Sequence, residues 1–259
     1  MKIARRLLPA LLLTLALTAP CLGAADRGVL FQYSTIQALM EGVYDGDLTY
    51  GELKRHGDFG LGTFNALDGE MIAVDGKFYQ IKTDGAAYPV PDSLKTPFAD
   101  VTFFQVDRTV TISKSLVCRQ LEAFLKKLLP SPNLAYALRI EGVFSYVKAR
   151  SVPRQQPPYP PLPAAAKGQS IFEFHHVKGV LVGFWTPEYL AGVNVTGCHL
   201  HFITADRKAG GHLLDCRIES AKVMIGNLEN FYLELPRTAE FYQRDLTGNR
   251  EKEIGQVER

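Results

Sequence analysis

The chain has 259 residues, 46% of them apolar and 22% charged, with a formal net charge of +2. That length supports one large or two ordinary domains with a real core. The near-neutral charge, with basic residues in runs no longer than pairs such as Lys126-Lys127, argues against a nucleic-acid binder, which needs a basic stripe to exchange counterions with phosphate.

Lys2, Arg5 and Arg6 precede an apolar run from Leu7 to Leu17 and the small residues Gly23, Ala24 and Ala25. This is the pattern of a cleaved secretory signal peptide over residues 1–25, so an exported protein, periplasmic or secreted, is expected to begin at Asp26. Losing three basic and no acidic residues takes the formal charge from +2 to −1. The apolar run is shorter than the roughly 20 residues of a spanning helix, so no membrane span is expected once the leader is gone. Pro20 before Cys21 makes a poor lipoprotein signal.

Ser34-Thr35-Ile36-Gln37 and Thr49-Tyr50-Gly51-Glu52 fit the capping-box pattern, each opening a short helical stretch, through Gly42 and Arg55. Gly60 to Leu67, Glu70 to Val74 and Lys77 to Lys82 then predict a three-stranded meander, with Asp68-Gly69 and Asp75-Gly76 as two-residue turns. Phe98 to Val106 reads as a strand. Lys114 to Leu129 carries Leu116, Val117, Leu121, Phe124, Leu125 and Leu128 at helical spacing and is stopped by Pro130. Tyr136 to Ile140 and Phe144 to Arg150 predict two strands around Glu141-Gly142. In the second, Ser145, Val147 and Ala149 share one face and Phe144, Tyr146, Lys148 and Arg150 the other.

Residues 151–168 contain six prolines and read as an extended linker. Beyond it Ile171 to Val177, Val180 to Trp185, Cys198 to Thr204, His212 to Ile225 and Asn230 to Leu235 are strand-like, and Thr186-Pro187 suits the start of a short helix. The last twenty residues are polar and read as a tail. The expected fold is α+β: two domains of mixed or antiparallel β-sheet with few helices. These are an N-terminal α+β domain over residues 26–150, the linker over 151–168, and a mostly-β, metal-binding domain with its tail over 169–259.

Chemistry concentrates in Cys198-His199-Leu200-His201-Phe202 and Gly210-Gly211-His212. Residues i and i+2 of a strand share a face, so His199 and His201 can present two imidazoles to one ion. His212 returns on the next strand after a turn containing Asp206, Gly210 and Gly211. Three neutral imidazoles form the protein half of an open Zn²⁺ site at a β-hairpin. His175-His176 point to opposite faces and read as structural, as does the isolated His56. If His201 sits opposite His212, Cys198 points away from the metal face and Cys216 toward it. With Cys118 that leaves three thiols and no expected disulfide. Taken singly, Glu70 beside a turn, Arg150 at a strand end and Glu258 near the C-terminus are ordinary surface residues.

Together these segments are more specific. Gly57-Asp58-Phe59-Gly60-Leu61-Gly62-Thr63-Phe64, Leu67-Asp68-Gly69-Glu70-Met71, Val147-Lys148-Ala149-Arg150-Ser151-Val152-Pro153 and Gly197-Cys198-His199-Leu200-His201-Phe202 with Gly211-His212 resemble the acetolactate decarboxylase family, in order along the chain. The resemblance implies conversion of 2-acetolactate to (R)-acetoin and CO₂ by a histidine-bound metal, usually zinc, although another divalent ion is compatible. It implies His199, His201 and His212 as ligands, Glu70, Arg150 and Glu258 as active-site residues, and Thr63 in the same pocket. It also implies a homodimer with the small-molecule substrate as its other partner.

The substrate is a β-keto acid, and a Lewis acid on its ketone and hydroxyl stabilises the enediolate left when CO₂ departs. Arg150 suits the carboxylate, while a glutamic acid or water is the better proton donor because arginine keeps its proton. Two rivals use the same histidines. A cupin-like oxygenase or isomerase expects a glutamate a few residues after H-x-H, where Asp206 and the distant Glu219 are the nearest acids. A non-enzymatic metal- or carbohydrate-binding module would leave Glu70 and Arg150 without a task.

Overall fold

A computed structural model describes residues 28–258; the leader assigned to residues 1–25 lies outside them. The strands in chain order are β1 (Val29–Tyr33), β2 (Phe59–Thr63), β3 (Glu70–Val74), β4 (Lys77–Ile81), β5 (Ala87–Pro89), β6 (Ala99–Thr102), β7 (Arg108–Ile112), β8 (Leu116–Val117), β9 (Ala135–Ser151), β10 (Ser170–Thr186), β11 (Gly197–Thr204), β12 (Gly210–Leu228) and β13 (Asn230–Glu234). The α-helices are short: α1 (Ile36–Met40), α2 (Tyr50–Leu53), α3 (Cys118–Leu128), α4 (Leu162–Ala165), α5 (Ala239–Gln243) and α6 (Glu251–Val257). None is long and apolar enough to cross a membrane among the described residues.

Two sheets carry the fold. The first has the order β13-β1-β6-β2-β3-β4-β5 and is antiparallel except where β13 joins β1 in parallel. The second has the order β11-β10-β9-β12-β7, with β8 also on β12, and β11 pairs with the start of β12 so that four strands close on themselves. The proline-rich segment, read from the sequence as an interdomain linker, joins β9 to β10, which pair with each other along nearly their whole length. Leu61, Ile72 and Ile81 of the first sheet pack against Val180, Val182 and Ile203 of the second, so an apolar layer fuses the two. A second cluster of Ile36, Leu39, Leu67, Phe98, Val152, Leu162 and Ile254 gathers α1, α4 and α6 over one end of that layer.

Local chemistry explains the elements, including those that depart from expectation. Thr49 and Glu52 form the capping box of α2, but at α1 the cap is Thr35, whose hydroxyl accepts from Ala38 N, rather than Ser34. Asp75-Gly76 is the expected tight turn, with both residues at positive φ (54° and 72°) and Val74 paired to Lys77, as a type I′ hairpin requires. Asp68-Gly69 is not a two-residue turn. The ladder ends at Thr63 and Glu70, and the loop between them makes a 3₁₀ turn over Asn65–Leu67 that buries Leu67.

The helix expected from Lys114 starts only at Cys118, because Leu116 and Val117 pair with Ile218 and Arg217 as β8. Leu121 and Leu125, four apart, supply its buried stripe. The paired predictions around Glu141-Gly142 merge into the single strand β9. A register shift against β12, where Arg217 pairs with Tyr146 and Ile218 with Phe144, skips Ser145 and breaks the simple alternation. Phe144 therefore joins Val147 and Ala149 in the core. The expected tail instead contains α5 and α6.

Candidate metal centre and active site

Strand geometry builds the centre. On β11, Leu200 and Phe202 enter the core of the second sheet, while His199 and His201 project to the opposite face, toward the first sheet. His201 pairs with His212 across the hairpin, and His212 pairs with Arg150 of β9, which sets three site residues in one row. Gly211 permits this approach: a Cβ there would lie 2.5 Å from the Arg150 carbonyl oxygen.

His199, His201 and His212 are buried, with ligand atoms all within 4.8 Å of one another. Nδ1 of His201 donates to the Met71 carbonyl at 2.9 Å, which leaves its Nε2 lone pair free. That Nε2 lies 3.2 Å from Nδ1 of His212. Two nitrogens bound tetrahedrally to one ion at about 2.0–2.1 Å stand about 3.3–3.4 Å apart. Neither ring nitrogen of His199 nor Nε2 of His212 has a hydrogen-bond partner although all are buried, a costly state unless a cation or solvent satisfies them. The donor set therefore fits a divalent metal.

Electrostatics favour the neutral, ligating imidazole. Burial lowers His201 to about 3, partly offset by its bond to Met71. Burial likewise holds His199 and His212 far below the usual histidine range, reinforced by the other imidazoles and Arg150.

Thr63, Glu70, Arg150 and Glu258 meet at the same place. Arg150 donates through Nη1 to Oε1 of Glu70 at 2.8 Å, and through Nη2 to Oε1 of Glu258 at 3.3 Å and to the Val257 carbonyl at 3.0 Å. The second oxygens face the histidines. Oε2 of Glu70 is 3.8 Å from Nε2 of His201, and Oε2 of Glu258 is 3.4 Å from Nε2 of His199 and 3.7 Å from Nδ1 of His212. Burial raises Glu70 to about 7 against the opposing pull of Arg150, and Glu258 is raised by burial in the same way. Thr63 lines the cavity, but its hydroxyl donates to the Gly69 carbonyl at 2.7 Å and so braces the loop leading to Glu70.

The cavity is about 20 Å³, and its apolar walls include Ile36, Leu39, Leu67, Phe98, Val152 and Leu162. These walls, and the carbonyls of Met71 and Val257, had no signal in the sequence, because apolar residues and backbone oxygens carry no motif. Other chemistry-bearing residues stay outside. His175 and His176 are exposed, and His56 stacks on Phe31 at 3.9 Å. Asp206 binds Thr204 within its turn and Glu219 is exposed, so neither supplies the acid of a cupin-like site. Cys118, Cys198 and Cys216 are all free thiols, and Cys118 lies near enough to Cys216 for the two to affect each other's ionisation.

Two sheets closing over a buried cluster of neutral histidines, with two acids and an arginine beside them, define a metalloenzyme of the three-histidine class. Residues 30–248 match the family model described as Alpha-acetolactate decarboxylase. The chain is 54% identical over 231 residues to the alpha-acetolactate decarboxylase of Methanosarcina mazei, covering 89% of this chain and 80% of the relative. It is 51% identical over 237 residues to that of Methylococcus capsulatus, covering 92% and 91%. The crystal structure of the Bacillus subtilis strain 168 enzyme superposes with a TM-score of 0.87 at 44% identity, covering 89% of this chain and 99% of that one. The chain belongs to the alpha-acetolactate decarboxylase family.

Proposed function

We propose that this chain is a carboxy-lyase that converts (S)-2-acetolactate to (R)-acetoin and CO₂, with zinc as its metal. The observation that carries the reading is the placement of two buried carboxyls, each spanning from Arg150 to the histidine cluster. Zinc rests on the all-nitrogen donor set, which suits that ion.

His199, His201 and His212 would hold the ion, which when bound supplies Lewis-acid polarisation of the substrate ketone and hydroxyl. The residues do the rest. Arg150 balances the charge of the substrate carboxylate and of the two glutamates, its planar fork matching such anions. As the C1–C2 bond breaks, its electron pair passes toward the ketone oxygen and CO₂ leaves. Carbon 2 then needs one proton on one face. Glu70 and Glu258 flank one guanidinium and titrate as a pair, and burial raises both carboxyls above the usual carboxylate range. The pair delivers the proton to C2 and is reprotonated from water. The apolar walls exclude bulk water, which would protonate either face.

The leader over residues 1–25 supports export to the periplasm or medium, and family membership supports a homodimer. The decisive experiment supplies the purified chain lacking residues 1–25 with Zn²⁺ and racemic acetolactate. Release of CO₂ with acetoin of a single hand, abolished by chelator and by His201→Ala, is expected; no acetoin from the metal-loaded protein overturns the reading. Detection of the chain in cell fractions tests export, and sedimentation tests the dimer.

A further inference from the structure

Glu258 is buried in the centre. It is carried there by α6, a helix of seven residues, well below the length at which an isolated helix persists in water. Apolar packing and polar contacts at both ends hold that helix. Ile254 is buried with Ile36, Leu39 and Leu162. The Val257 carbonyl accepts from Arg150. At the opposite end Arg250, the residue before the helix, forks onto Glu41 through Nε at 2.7 Å and Nη2 at 3.3 Å, while its Nη1 binds both oxygens of Glu253 at 3.0 and 2.9 Å.

Glu41 is the C-cap of α1, the helix that places Ile36 and Leu39 in the cavity wall. The Arg250 fork therefore ties the helix bearing Glu258 to the wall of the site. An exposed ion pair alone contributes little. This one is two-pronged on Glu41 and bonded also to Glu253, and it constrains a short segment whose far end must be placed to within an ångström. The family match ends at residue 248, before any of this segment.

We propose that Arg250 is a positioning residue: by clamping α6 to Glu41 it keeps Glu258 beside Arg150 and the metal ligands. The proposal rests on the decarboxylase reading for its kinetic consequence, but the clamp itself can be measured without turnover.

The test uses the metal-loaded chain lacking residues 1–25 with Arg250→Gln, Arg250→Lys, Glu41→Gln and the Arg250→Gln/Glu41→Gln pair. Misplacing a reacting group by about 1 Å can cost up to about a hundredfold in rate, so a fall in kcat of about tenfold is expected for Arg250→Gln, with metal content and KM little changed. Glu41→Gln should lower kcat in the same direction by less, since Arg250 keeps Glu253, and the double variant should be no worse than Arg250→Gln, because both act on the Arg250–Glu41 contact. Lysine keeps the charge without the fork and should restore part of the rate.

Independently, hydrogen exchange of the amides of residues 251–257 should quicken by a similar factor in Arg250→Gln while those of β10 and β11 stay protected. Unchanged protection of α6 overturns the clamp, whether or not the wild type turns over substrate. Quickened exchange with wild-type kcat overturns the positioning role. An inactive wild type sinks the decarboxylase reading instead.

Discussion

Glu70 and Glu258 use their two oxygens in the same way: each gives Oε1 to Arg150 and turns Oε2 toward the histidines. One enters at the start of β3 and the other at the end of the chain, so a single guanidinium is the link that orders both. Two acids held at defined positions against one fork are a physical basis for delivering a proton to one face of a prochiral carbon.

Arg150→Met should therefore do more than weaken substrate binding. It leaves two buried carboxyls facing each other without a counter-charge, and breaking a buried pair by removing one partner costs about 3–5 kcal/mol. Urea denaturation of the metal-free protein should register that loss. Arg150→Lys keeps a charge but cannot serve both glutamates, and should retain stability better than it retains kcat. Equal stability of Arg150→Met and wild type would show the triad to be energetically idle.

How much of this was legible beforehand divides along physical lines. The alternation of a strand put His199 and His201 on one face, and the glycine-rich turn brought His212 back on the next strand, because both are local geometry. The Asp75-Gly76 turn followed from the same logic. Asp68-Gly69 failed because Leu67 finds a buried place in the cavity wall, a tertiary contact that outweighs turn preference. Glu70, Arg150 and Glu258 converge only through sheet pairing and the docking of α6, so no spacing could join them; the family resemblance did. The merging of two predicted strands into β9 has the same origin: Glu141-Gly142 resembles a turn, but β10 and β12 pair with both of its sides.

Metal should bind the native state and not the unfolded one to any comparable degree. Free Zn²⁺ at a hundred times its Kd should then stabilise the chain by about 2.7 kcal/mol, seen as a rise in Tm with metal concentration. His201→Ala should abolish that rise and the bound metal together, since it removes a ligand and leaves the Met71 carbonyl without its donor. A metal-dependent Tm that survived in His201→Ala would place the ion elsewhere.

The metal-free protein should show two opposed pH effects. The three histidines have folded values below the ordinary 6.5. The unfolded chain thus binds more protons below that pH, and their contribution falls as pH drops from about 6.5 toward 3. Glu70 is raised from 4.5 to about 7, so the folded chain binds more protons between those values, and its contribution is lost as pH rises through 7. Glu70→Gln keeps an acceptor for Arg150 and removes the titration. Denaturation curves from pH 4.5 to 8 should show the variant gaining on the wild type as pH rises. A constant difference across that window would mean that Glu70 ionises in the folded state as it does in the unfolded one.

Gly183 tests whether the spacing of β10 and β11 sets the ligands. It pairs with Leu200, between the two histidines of the strand, and a Cβ at this position would lie 1.9 Å from the His199 carbonyl oxygen. Backbone cannot yield as a side-chain tip does, so Gly183→Ala must push β11 away and carry His199 and His201 with it. Overpacking a dense interior typically costs about 1–3 kcal/mol. The expected result is a lower Tm together with weaker metal retention in competition with a chelator. Gly168→Ala is the control: its Cβ would meet the Pro153 ring at 3.5 Å, an ordinary contact, and its stability should stay within about 0.5 kcal/mol of wild type. If Gly183→Ala lowered Tm yet held metal as tightly as the control, the ligands would be fixed by the β11–β12 hairpin alone and not by the strand on their other side.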